Sequence, residues 1–89
     1  MNALLLATLF CHSPMSGTNF KISVNGSQAR VSHPAVSGIS CLSQPPEDGL
    51  EYEIVCEKGA ELIAVLYDKS GEGALISDNT GIIDTFSCR

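Results

Sequence analysis

Positive charge is scarce in this 89-residue chain: five Lys and Arg stand against ten Asp and Glu, for a net charge of -5. Lys21, Arg30, Lys58, Lys69 and Arg89 are scattered singly, with no cluster to neutralise phosphates or anionic lipid. Nucleic acid and membrane surfaces are therefore not expected as partners. The two histidines form no H-x-x-x-H and the four cysteines no C-x-x-C, so no metal site is expected. Cofactor and phosphate motifs are lacking as well. No apolar run reaches the roughly 20 residues that a membrane-spanning helix needs. Internal repeats and low-complexity linkers are absent, and after residue 17 helical periodicity is nearly so.

What is present begins with an uncharged apolar run from Ala3 to Phe10. Its length suits the core of a secretory signal, typically about 7 to 15 residues. The expectation is a signal peptide over residues 1–16, cut near Ser16, and one secreted domain over 17–89. The alternative is that residues 3–10 form an ordinary buried strand or helix. A domain of this size builds a modest hydrophobic core, and small secreted proteins usually add disulfides.

Turn signals recur at short intervals between alternating runs, the pattern of an all-β fold. The expected fold is a small, disulfide-stabilised antiparallel β-sandwich or barrel of six to seven strands. Phe20, Ile22 and Val24 alternate before Asn25-Gly26, a pair suited to a type I′ turn, and Ala29 and Val31 alternate on the return. A second hairpin joins the run Gly38 to Leu42 to Leu50, Tyr52, Ile54 and Cys56. A turn centred on Asp48-Gly49 sets Cys41 opposite Cys56, close enough for a disulfide. A turn at Lys58-Gly59 would set Ile54 opposite Ile63 and Tyr52 opposite Val65. Strand 61–67, ELIAVLY, is apolar on both faces and is expected to be central and covered on both.

Cysteine parity leaves alternatives. If Cys11 is retained, it is the candidate partner of Cys88; if it is removed, Cys88 is free or links two molecules. The protein is otherwise expected to be a monomer. His33, between Ser32 and Pro34, reads as an exposed loop imidazole and, less readily, as a ligand or general base. Asp68, Ser70 and Glu72 read as a solvated turn in preference to a calcium loop. Asp78-Asn79-Thr80-Gly81 also reads as a turn. Asn25-Gly26-Ser27 is an N-glycosylation acceptor sequence as well as a hairpin turn. Glu51, Glu53 and Glu57 line one strand face, either solvated or recognising a basic partner.

An exported β-protein without a catalytic constellation is expected to work by binding, so no enzymatic activity and no catalytic residue are assigned. The leader at 1–13, the strands between Phe20 and Cys88, a mid-chain cysteine such as Cys41 or Cys56 and the near-terminal Cys88 resemble the small secreted fungal effectors of the Magnaporthe avirulence and ToxB-like β-sandwich family. The resemblance implies a non-enzymatic virulence effector acting on a host protein, outside host cells or after uptake into them. The expected mechanism is edge-strand pairing with an extended host segment, through the hairpin carrying Lys21, Ser23 and Arg30. The alternatives are a hydrolase inhibitor presenting the Ser43 to Gly49 loop and, third, a small secreted hydrolase or toxin.

Overall fold

A computed structural model describes residues 6–89. Eight strands follow one another among the described residues: β1 Leu6–His12, β2 Asn19–Asn25, β3 Gln28–Val31, β4 Cys41–Gln44, β5 Leu50–Lys58, β6 Glu61–Asp68, β7 Glu72–Ser77 and β8 Gly81–Cys88. Each pairs antiparallel with the next, and β1 pairs with β8, so the meander closes into a barrel. The all-β expectation is met by a closed barrel with one strand more than the upper count. Eight strands enclose an interior that side chains alone can fill. Here Ile22, Ile54, Ile63, Val65 and Leu75 fill it, together with Val36 from the β3–β4 connection.

The additional strand is the stretch read as a leader. Residues 1–5 lie outside the described residues, but Leu6–His12 pair with β2 at seven positions, from Leu6↔Asn25 to His12↔Asn19. Cys11 is buried facing the interior, with Leu9 packed against the core. Within the described residues Leu6–His12 form a strand of the barrel, which a domain limited to residues 17–89 would lack. A strand of this length and a signal core are both short, uncharged and apolar, and composition alone does not separate them.

Two corrections concern turns. The first hairpin turns on Gly26-Ser27, one position later than expected, with Asn25 opposite Gln28. Gly26 has φ +61° and no non-glycine residue among the described residues has positive φ, which rules out a type I′ turn on Asn25-Gly26. The β5–β6 hairpin turns on Gly59-Ala60, so Ile54 opposes Val65 and Tyr52 opposes Tyr67. That register lies two residues from the expected one and keeps every side chain on the same face. A further difference is that, among the described residues, no second layer covers β6. Ile63, Val65 and Tyr67 point inward, while Leu62 is exposed and Ala64 and Leu66 are half-buried on the outside.

Two seams are short. β3 meets β4 at two residue pairs and β1 meets β8 at two. A disulfide crosses the second seam directly, Cys11 to Cys88, and the other joins β4 to β5 beside the first, Cys41 to Cys56. All four cysteines are paired.

Candidate functional site

The chemistry-bearing side chains converge at one end of the barrel, on Asp84. Strand β8 alternates, so burying Phe86 also turns Asp84 inward, where it is 2% exposed. Ser13 Oγ donates to its Oδ1 at 2.5 Å, and Ser16 Oγ donates to Oδ2 at 2.8 Å. His33 Nε2 lies 2.8 Å from Oδ2. Because the Ala35 amide donates to Nδ1 at 3.1 Å, Nε2 is the nitrogen that carries the proton toward Asp84. Burial pushes the Asp84 carboxyl up, but hydrogen bonds from Ser13, His33, Ser16 and the Thr85 amide outweigh it and bring it to about 2.

This group combines a serine, a histidine and an aspartate, but not in the order nucleophilic catalysis uses. Both Ser13 and His33 bond to Asp84, and no bond links serine to histidine. Ser13 is fully buried and His33 is 5% exposed, its ring edge-on to Phe20 with centroids 5.0 Å apart. The reading of His33 as an exposed loop imidazole is thus corrected: its loop folds back to plug the barrel end. What the cluster does is tie three segments together, the β1–β2 turn, the β3–β4 connection and β8.

The remaining candidates lie apart from this cluster. Lys21 and Arg30 are exposed, and Ser23 is half-buried opposite Arg30. Strand β2 is paired with β1 along one side and β3 along the other, so Lys21 and Ser23 offer no free backbone edge. Along Lys21 and Ser23 the barrel therefore lacks the edge that strand pairing requires. Asn25 is exposed at the end of β2. Asp68 Oδ1 accepts bonds from the Ser70 amide, the Ser70 hydroxyl and the Glu72 amide, which forms a turn and holds its carboxyl below the usual range, the Ser70 hydroxyl foremost. Residues Pro45 to Gly49 are exposed, and Pro45 and Pro46 wall a cleft of about 490 Å³ with Leu6, Val24 and Tyr52.

The outer surface of β4 to β8 carries a feature that register makes visible. Leu42 opposes Val55, Val55 opposes Ala64, Ala64 opposes Ile76, and Ile76 opposes Ile82. These five outward apolar side chains form one row across five strands. Leu42 is 58% and Ile82 64% exposed, and Val55, Ala64 and Ile76 are half-buried. On one side of the row Glu57 sits opposite an exposed Leu62; on the other, Glu53 sits opposite Leu66. Sequence reading found the acidic positions and the two-faced apolarity of β6 but expected a covering layer.

The fold and surface define a class: a small, disulfide-bridged, closed up-and-down β-barrel with a filled interior and an uncovered apolar row. Set against known proteins, the chain matches no family model, no curated protein and no solved structure.

Proposed function

We propose that this chain is a secreted, non-enzymatic effector that acts by binding a host protein, and that the outer face of β4 to β8 is where it binds. The observation that carries the reading is the row Leu42, Val55, Ala64, Ile76 and Ile82, apolar surface that no other part of the described chain covers. Contiguous exposed apolar surface rimmed by polar groups is characteristic of protein-binding sites. Export is supported by the two disulfides, which suit an oxidising compartment. The effector role rests on the resemblance in strands and cysteines described above, without the leader, since Leu6–His12 form β1. Recognition then runs through side chains on a sheet face, in place of backbone pairing along β2, both of whose edges are taken.

Affinity capture from host extract tests this with the wild-type chain beside Ile76→Lys, an outward substitution. A host protein held by the wild type and lost with Ile76→Lys is the expected result. Equal retention by both would move the binding site elsewhere. The inhibitor reading has one observation of its own, the exposed Pro45 to Gly49 loop braced by the Cys41–Cys56 bridge. Loss of hydrolase inhibition on cutting that loop, with Ile76→Lys still inhibitory, would favour it.

A further inference from the structure

Charge divides this barrel by strand. No Asp or Glu occurs before Glu47, and all ten fall between Glu47 and Asp84. Against them residues 47–89 set Lys58, Lys69 and Arg89, which leaves that part at -7, while residues 1–46 carry Lys21 and Arg30, at +2. The negative half contains the strands that carry most of the apolar row. Glu53 lies on one side of the row, and Glu57 and Asp78 on the other. Asp78 is placed by its amide bond to the Leu62 carbonyl and by the Leu62 amide on its Oδ1. The positions beside the row on β4 to β8 hold no Lys or Arg, and Lys58 is drawn away, its Nζ donating to the Ala35 carbonyl at 3.3 Å.

We infer that this face docks a cationic amphipathic segment of the partner protein, its apolar side chains on the row and its Lys or Arg against Glu53, Glu57 and Asp78. The inference rests on the reading of this face as the binding surface and names the chemistry of what it binds. Two physical terms select that occupant. Covering the row removes apolar area from water, and carboxylates on both sides favour a ligand whose charges flank an apolar stripe. A second copy of this chain fits less well. Its basic half offers Lys21 and Arg30, too few to neutralise the seven net charges of the acidic half.

The probe is an 18-residue peptide of leucine and lysine patterned to put leucines on one helical face, with a leucine and glutamate peptide as its counterpart. Titration calorimetry is expected to show micromolar binding of the first and none of the second, weakening as salt rises. Glu53→Gln with Glu57→Gln should weaken it about tenfold. The deciding variant is Ala64→Glu, with Ile82→Glu as a second should Ala64→Glu fail to fold. Either adds a carboxylate, so an attachment through charge alone would tighten, whereas docking on the row loses at least tenfold. Tightening, equal binding of both peptides, or sedimentation of the wild type as a dimer that Ala64→Glu dissolves would each overturn the inference. If the peptides fail while Ile76→Lys still releases the captured host protein, the face remains the binding surface and only the partner's chemistry is wrong.

Discussion

Asp84 shows how one side chain can hold a barrel end together. A buried carboxylate is costly unless its lone pairs are filled, and four donors fill them here. Its pKa, about 2, lies below its ordinary 3.8, so the stability it contributes is complete above about pH 4 and is lost as pH falls through 2. The size of that term is roughly 2 kcal/mol. Urea denaturation between pH 5 and pH 2 is expected to show Asp84→Asn less stable than wild type at pH 5, with the gap closing toward pH 2. A constant gap would mean that packing, not charge, holds the site. The sequence reading missed this position, although period-2 alternation with the buried Phe86 turns Asp84 to the same face. Its partners were not legible, because the return of Ser13 and His33 to that point depends on barrel closure, which no local pattern encodes. A second residue-scale prediction concerns Gly73 on β7. A Cβ there would fall far inside contact distance of the Phe86 ring and the Leu66 carbonyl. Gly73→Ala should cost about 1–3 kcal/mol in thermal or urea unfolding, because the carbonyl belongs to a paired strand and has nowhere to move.

Registers separate what turn chemistry specifies from what it leaves open. The β4–β5 hairpin was readable because Asp48-Gly49 fixes a centre and that centre places Cys41 on Cys56. The β5–β6 hairpin was readable in face but not in register. A slip of two residues leaves all apolar side chains on the same side, so alternation cannot choose between Lys58-Gly59 and Gly59-Ala60. What chooses is the single positive φ at Gly59, +63°, which puts glycine first in the two-residue turn. At the closing seam, two residue pairs joining β1 to β8 make a weak ladder, and the Cys11–Cys88 bridge spans 77 residues of chain against 15 for Cys41–Cys56. By chain entropy the longer link contributes about 4.5 kcal/mol and the shorter about 3. Removing Cys11 and Cys88 as a serine pair should therefore lower stability by about 1.5 kcal/mol more than removing the other pair. Hydrogen exchange should rise first in β1 and β8.

At the scale of the molecule, one sheet wraps on itself and leaves its outer face to water. Strand β6 is apolar on both sides, which from sequence implies two covering layers. Closure supplies one, the barrel interior, and the outer side carries the row that the functional reading depends on. Pairing of β2 on both sides removes the free edge at Lys21 and Ser23, so the proposed mechanism moves from backbone pairing to surface complementarity. Barrel closure requires β1 as a structural strand. Without it Cys88 loses its partner, Asp84 loses Ser13, and the barrel has an open side between β2 and β8. Intact mass with non-reducing peptide mapping of the protein purified from an oxidising compartment tests that requirement most directly. The account predicts a chain that retains residues 6–16, with Cys11 bridged to Cys88 and Cys41 to Cys56. A mature chain starting near residue 17, with Cys88 free or linking two molecules, would contradict it.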